Sequence, residues 1–247
     1  LIEGDATAAQ TQFMLKNYDF IELAQLLEST LAAQADIPEA PYFLQRSLEF
    51  SYTEGTAFVA ILNQMGGFGA VDAVFNDLPR STEQVLHPEK YFDKEEPVVL
   101  DIPDDAMGAG WTVQNENVLG EFFLKTWLEA LGMDRTATAT AAAGWGGDAY
   151  AVFENGSGDF ALGILIAWDD DTDAREFFDG AAQSLETNEE FVGAISGIAR
   201  LFQSWEGPGG WVTLSRQDTI SKGEIIVITV APSLSESAEL VRAVAGG

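Results

Sequence analysis

Residues 149–168, AYAVFENGSGDFALGILIAW, predict a β-hairpin. Two runs of apolar, aromatic and β-branched residues flank a turn at residues 154–159, which contains two glycines, an asparagine and an aspartate. These residue types close tight turns because they accept positive φ or hydrogen-bond their own backbone. Residues 211–214 and 224–230 predict a second hairpin. An antiparallel sheet is therefore expected in the second half of the chain.

Segments of helical periodicity precede and follow the two hairpins. They are residues 120–131, 173–185, 189–202 and 235–244. The order helix, hairpin, helix, hairpin, helix resembles two degenerate αββ units, and the similar stretches GWGG at 144–147 and GPGGW at 207–211 agree with a repeat. We expect an antiparallel sheet built from these two units, with helices on one face. Residues 98–102 predict one further strand.

The first part of the chain has a different pattern, with helices separated by turn signals. Apolar residues recur there at intervals of three and four, and prolines or the pair Gly66 and Gly67 end the periodic segments. The predicted fold class is therefore α+β. We expect a helical domain over residues 1–95 and an α+β domain with two hairpins over residues 96–247.

The composition excludes several kinds of partner and site. Twelve basic residues against 40 acidic ones give a formal net charge of −28, so a polyanion such as DNA or RNA is repelled. The absence of cysteine excludes disulfides, thiolate metal sites and cysteine nucleophiles. No apolar run reaches the roughly 18 residues that a transmembrane helix needs. Because Leu1 stands within a helical pattern, we expect further residues to precede it.

Glu3 and Asp5 open the first predicted helix. Carboxylates in a first turn stabilise the helix dipole, and Glu3 can also give an oxygen ligand to zinc or to a hard cation. A hydrolytic zinc site usually needs two further nitrogen ligands, whereas the chain has one histidine and no HExxH sequence. Both interpretations of Glu3 stay open, and these residues alone do not predict a complete zinc site or any catalytic residue.

The one histidine lies within residues 81–92, STEQVLHPEKYF. Ser81 begins a capping-box pattern, and Pro88 ends the helix at His87 because the residue before a proline avoids the helical conformation. A lone histidine is more often structural than catalytic, and no acidic partner can be assigned to it from the sequence. We therefore predict a structural motif, whose main residues are Ser81, Glu83, His87, Pro88 and Tyr91.

Residues 169–173, DDDTD, form the densest acidic run. Oxygens of Asp169, Asp171 and Asp173 could coordinate calcium, although the glycine and distal glutamate of an EF-hand loop are missing. In the competing interpretation, Asp171 or Thr172 caps the following helix and the other carboxylates are solvated. The glycines at 144–147 do not lead from a strand into a helix, so they predict a turn and no phosphate-binding loop.

Several motifs occur in an order that resembles a known family. They are LIEGDA at 1–6, FSYTEGTAFV at 50–59, the glycine pair at 66–67, PRSTEQVLHPEKY at 79–91 and GWGGD at 144–148. Together they resemble archaeal and bacterial surface proteins and lipoproteins related to gluzincin-type metallopeptidases. In that family a helix with HExxH precedes a helix with (L)(V/I)EG(D/E)A, whose glutamate is the third zinc ligand. Glu3 matches that glutamate, and the HExxH segment would lie before Leu1.

The resemblance implies the C-terminal portion of an extracytoplasmic zinc metallopeptidase-like protein that acts on a protein or peptide and is not catalytic as the isolated chain. One alternative is a non-catalytic structural protein that self-assembles and whose acidic surface tolerates cations. Another is a cation-dependent binding module based on the aspartate run. The expected location is extracellular or at the cell surface.

Overall fold

The computed structural model describes residues 1–34, 40–197, 201–219 and 223–246. The chain divides into two compact units, Leu1–Glu95 and Glu96–Gly247. The first, the helical unit, contains α1 (Ile2–Asn17), α2 (Phe20–Gln34), α3 (Tyr42–Tyr52), α4 (Glu54–Gly66), α5 (Phe68–Val74), α6 (Thr82–Leu86) and α7 (Pro88–Phe92).

The described residues of the helical unit share an apolar core. Its fully buried side chains come from α4, α5 and α7, and they are Phe58, Val59, Leu62, Val71, Val74 and Tyr91. Helix α1 lies very close to α4, because a Cβ atom on Gly4 would collide with the carbonyl of Gly55. Glycine at position 4 is therefore required for this approach of two helices.

The second unit, the sheet unit, has mixed structure. Its elements are β1 (Trp111–Asn117), α8 (Glu121–Ala130), α9 (Arg135–Ala142), β2 (Trp145–Asn155), β3 (Phe160–Trp168), α10 (Asp171–Thr187), β4 (Val192–Ser196), β5 (Phe202–Gly207), β6 (Gly210–Thr219), β7 (Gly223–Ala231) and α11 (Leu234–Ala245). A helical region followed by an antiparallel sheet confirms the predicted α+β class.

The described strands form one antiparallel sheet in the order β1-β2-β3-β7-β6-β5-β4. The first predicted hairpin is β2–β3, closed by the turn from Asn155 to Asp159, and the second is β6–β7. Strands β3 and β7 pair at the centre, where Ile164 is opposite Ile228. Each of these hairpins is followed by a helix, α10 or α11.

Helices cover both faces of the sheet, which corrects the prediction of helices on one face. Side chains at alternate positions of β3 enter different cores, since Ile166 packs with α8–α10 and Leu165 packs with α11. Residues on opposite pleats of a central strand are both apolar when both faces are covered. The continuous apolar run in β3 is the sequence signal for this arrangement.

Three further predictions about secondary structure are wrong. In the described part of the segment 189–202, residues 192–196 form β4 and Phe202 begins β5, so the predicted helix is not found there. Residues 198–200 of that prediction lie outside the described residues. Residues 98–102 are not a strand, although Val98 N–H donates to the Gly146 carbonyl at 2.7 Å. The stretch 144–147, predicted as a turn, instead begins β2 through a bulge after the buried Trp145.

Among the described residues, no helix is both long enough and apolar enough to cross a bilayer. This finding agrees with the prediction of no transmembrane segment.

Candidate functional site

The helical unit contains a cleft of about 440 Å³ beside the first turn of α1. Apolar side chains line most of it, including Leu1, Phe58 and Leu78, and the backbone at Gly55 forms part of its wall. Glu3 is the one charged residue among those that line the cleft. The site therefore combines a mainly apolar surface with one carboxylate.

Glu3 projects from the N-terminal turn of α1 and is exposed. Its neighbour is Tyr52, the last residue of α3. A hydrogen bond with the Glu3 side chain and the negative charge of that side chain raise the pKa of Tyr52. Tyr52 therefore remains a neutral phenol, able to donate a hydrogen bond, further into the alkaline range.

The donor set at the cleft does not fit a complete zinc site. A catalytic zinc has three protein ligands, most often with two histidine nitrogens. Within residues 1–34 and 40–95, no three carboxylate or imidazole ligand atoms lie within 4.8 Å of one another. Glu3 can supply one oxygen ligand, and the remaining ligands would have to come from outside these residues.

The motif at 81–92 forms a buried polar turn. Ser81 Oγ accepts from Gln84 N–H at 3.1 Å, which confirms the predicted cap of α6, whereas Gln84 Oε1 accepts from Arg80 N–H at 2.8 Å. Glu83 is 3 % exposed and pairs with Lys90 Nζ at 2.6 Å. Lys90 Nζ also lies 2.8 Å from Glu95. The burial of the Glu83–Lys90 pair favours a structural role.

His87 and Tyr91 differ in burial within this motif, since His87 is partly exposed and Tyr91 is buried. His87 ends α6, Pro88 begins α7, and His87 Nδ1 lies 3.8 Å from Glu89 Oε1. Tyr91 is buried, its hydroxyl donates to the Asp77 carbonyl at 2.8 Å, and its ring meets Phe58 edge-on. The structural role of His87 stays a prediction, whereas Tyr91 clearly belongs to the core.

Asp170, not Asp171 or Thr172, caps helix α10. Its Oδ1 accepts from the backbone N–H groups of Thr172 and Asp173, and these hydrogen bonds lower the pKa of Asp170. Partial burial, followed by the charges of Asp170 and Asp169, raises the pKa of Asp173. Burial and neighbouring negative charges both disfavour the ionised form of a carboxyl group.

The carboxylates of residues 169–173 do not form a metal-ligand cluster with one another. Among the described residues of the sheet unit, no three carboxylate oxygens lie within 4.8 Å of one another. Asp171 Oδ1 instead accepts from Glu224 N–H at 3.3 Å. Calcium binding by Asp169, Asp171 and Asp173 stays a prediction, and the geometry favours helix capping.

Asp148 is an important residue that sequence reasoning did not single out. It is 2 % exposed on β2 and accepts from Leu119 N–H at 2.7 Å, Gly120 N–H at 2.6 Å and Trp145 Nε1–H at 2.8 Å. Burial raises the pKa of Asp148, and the three donors partly offset that effect. It thereby anchors the start of α8 to the sheet. One aspartate inside an apolar strand pattern was the available signal.

Residues 109–240, more than half of the chain, match a family described as "Domain of unknown function (DUF8575)". The chain belongs to this family. The match begins before β1 and ends within α11, so the DUF8575 domain corresponds to most of the sheet unit, and the Glu3 cleft lies outside it. No curated protein and no solved structure matches the chain.

Proposed function

We propose that this chain is the C-terminal portion of an extracytoplasmic zinc metallopeptidase-like protein of the cell surface and is not catalytic as an isolated polypeptide. The observation that carries the proposal is the position of Glu3, which lines a mainly apolar cleft of about 440 Å³. A carboxylate beside a cleft of this size is a suitable arrangement for one metal ligand next to a substrate side chain. The sequence resemblance assigns the same role to Glu3.

The residues around Glu3 would position it and shape the cleft. Gly4 allows α1 to approach α4, which sets the location of the helix turn that carries Glu3. Tyr52 forms a hydrogen bond with the Glu3 carboxylate. A bound zinc would supply Lewis-acid activation of a water or a carbonyl. The apolar lining, which includes Phe58 and Leu78, would accept an apolar side chain of a protein or peptide.

A non-catalytic surface protein that self-assembles is the second candidate. The exposed apolar side chains of the helical unit favour it, because large exposed apolar surfaces usually mark interaction sites. On α1 to α4 they include Ile2, Phe13, Leu15, Phe20, Ile21, Leu48 and Met65. In this alternative the acidic surface keeps the assembly soluble and tolerates cations.

Zinc content separates the two candidates. In the protein purified from its source, Glu3→Gln should lower the zinc bound per chain, measured by atomic emission, because the amide is a poorer ligand than a carboxylate. Asp5→Asn is the matched control, since Asp5 lies in the same first turn and does not line the cleft. Unchanged zinc in Glu3→Gln, or no zinc in the wild-type protein, contradicts the metallopeptidase-like proposal.

A further inference from the structure

A second cavity lies within the DUF8575 domain, beside α10 and strands β5 and β6. Its volume is about 400 Å³, within the range of small-molecule sites. The buried side chains of Phe178, Ala182 and Gln203 line it. Exposed Asp179 and Glu186 also line it, from the solvent side of α10. Apolar, amide and carboxylate groups therefore face one groove.

Arg216, on β6, places a positive charge in this groove. Its guanidinium carbon lies 5.6 Å from the centre of the Phe178 ring, which holds the side chain against an aromatic face. The Arg216 side chain is 18 % exposed. The Nε of Arg216 is buried, and no described residue accepts a hydrogen bond from it.

The nearest carboxylate does not satisfy Arg216. Glu224 Oε2 lies 3.7 Å from Arg216 Nε, which is longer than a hydrogen bond, and it lies 3.4 Å from Arg175 Nε. One carboxylate is thus shared by two guanidinium groups. Arg216 therefore keeps both charge and N–H donors for a carboxylate that enters the groove, since guanidinium groups bind carboxylates through paired hydrogen bonds.

The surrounding charges decide what kind of molecule fits. A simple anion is repelled by Asp179 and Glu186, and by a chain with a formal net charge of −28. A simple cation can pair with Asp179 or Glu186, but it offers no acceptor to the Arg216 guanidinium. A molecule that carries both a carboxylate and an ammonium group meets a complementary partner for each charge, and the Phe178 ring offers a surface for its carbon atoms.

We propose that the groove formed by α10, β5 and β6 binds a small amino-acid zwitterion. Arg216 holds its carboxylate, and Asp179 with Glu186 attracts its ammonium group. This site does not depend on Glu3 or on zinc, so it can be tested independently of the function proposed above. It would give the DUF8575 domain a ligand of its own.

Thermal-shift measurements with each proteinogenic amino acid, at millimolar concentration, test the proposal on the whole chain. At least one should raise the melting temperature, because a ligand that binds only the folded state stabilises it. The deaminated acid and the decarboxylated amine of the best ligand are the matched probes. Each should bind at least about tenfold more weakly than the amino acid, given the strength of hydrogen bonds to charged groups. An absence of any shift, or equal binding of the acid alone, overturns the proposal.

Variants then locate the binding site. Arg216→Met keeps an apolar stem over Phe178 and should weaken binding of the best amino acid by about tenfold or more. Arg242→Met is the control, because Arg242 is exposed on α11 and does not line the groove, and it should change the affinity by less than about twofold. Arg216→Lys retains the positive charge but not the paired N–H donors. It should therefore bind the amino acid with an affinity between those of the wild type and Arg216→Met. Full affinity in both Arg216 variants, measured by isothermal titration, contradicts the assignment of this groove.

Discussion

The two units bury their apolar side chains to different extents. In the sheet unit, helices cover both faces of the sheet, and residues as large as Trp145, Phe177 and Trp205 are at most 1 % exposed. In the helical unit, one small core is surrounded by helices whose apolar residues are largely exposed, with Phe20 at 85 % and Leu15 at 70 %. The sheet unit therefore buries its large apolar side chains within its own cores, whereas the helical unit has exposed apolar surface that a partner could cover.

The largest expected effect compares one core residue from each unit. Phe177 packs against the rings of Trp127 and Trp168, and Phe177→Ala should lower the free energy of unfolding by about 3–5 kcal/mol because it leaves a cavity. All 6 tryptophans lie after residue 95, so tryptophan fluorescence in urea reports the sheet unit. Phe177→Ala should shift that transition strongly.

Phe58→Ala is the counterpart in the helical unit, where Phe58 is 1 % exposed. We expect it to shift the far-ultraviolet circular dichroism transition and to leave the fluorescence midpoint nearly unchanged, because the lost contacts belong to the separate core around Tyr91. Identical shifts of both signals in both variants would break the comparison between the units.

The next prediction concerns the buried ion pair of the helical unit. Lys90→Met removes this ion-pair partner from Glu83, whose side chain is 4 % exposed, and should cost about 3 kcal/mol because breaking a buried ion pair is strongly destabilising. Lys94→Met is the control, since the Lys94–Asp77 pair is exposed and should contribute little. Circular dichroism in urea measures both. Equal losses in the two variants would show that burial of Glu83 does not matter.

Asp148 gives a smaller effect with a defined pH dependence. In Asp148→Asn, the amide N–H₂ group faces a backbone or indole N–H, so two donors meet and one hydrogen bond is lost. This should lower the free energy of unfolding by about 1–3 kcal/mol near neutral pH. Burial raises the pKa of Asp148 above its usual 3.8, so the folded state holds this proton more tightly than the unfolded chain. Its contribution to the free energy of unfolding therefore falls as pH rises through the raised pKa.

Urea titrations from pH 3 upward, roughly spanning that window, measure this effect. The wild type should lose stability relative to Asp148→Asn as pH rises above 3.8, and the difference should level off once Asp148 is ionised. The exposed Asp218→Asn variant is the control and should run parallel to the wild type. A difference between wild type and Asp148→Asn that is constant with pH contradicts the assignment.

The smallest expected effect applies to both units, because acidic residues are spread over the whole chain. At a formal net charge of −28, sodium chloride should raise the melting temperature, since screening acts within about 10 Å at 0.1 M salt. Calcium and EDTA should give the same melting curve at equal ionic strength, because Asp170 caps α10 and the aspartate run forms no ligand cluster in the described sheet unit. A step with calcium alone would revive the predicted calcium site.

The sequence predicted the fold well where periodicity is unambiguous. The hairpins β2–β3 and β6–β7 carry apolar runs, the turn of β2–β3 contains two glycines, and α8, α10 and α11 show clear helical spacing. The prediction of a helix over 189–202 failed because a short apolar run does not distinguish a helix from strands, and Gly193 at φ 72° is incompatible with a regular helix. Strand β1 and helix α9 were missed because polar or small residues dominate them.

The candidate sites were harder to predict, because they depend on contacts distant in sequence. The order of the motifs singled out Glu3 as a candidate ligand. The cleft beside it, however, is formed with Phe58 and Leu78 from elsewhere in the helical unit, which the sequence does not indicate. The capping of α10 by Asp170 depends on where that helix begins, which sequence patterns determine only to within a residue or two. The groove at Arg216 joins α10, β5 and β6, and no local motif indicates it.

The most direct test of the central claim is a zinc titration of this 247-residue chain, combined with casein digestion in the presence and absence of EDTA. The account predicts binding no tighter than about micromolar and no proteolysis, because Glu3 would supply only one of the three protein ligands that a catalytic zinc needs. Saturable zinc binding well below micromolar that Glu3→Gln abolishes, together with EDTA-sensitive digestion of casein, would show instead that the chain contains a complete site.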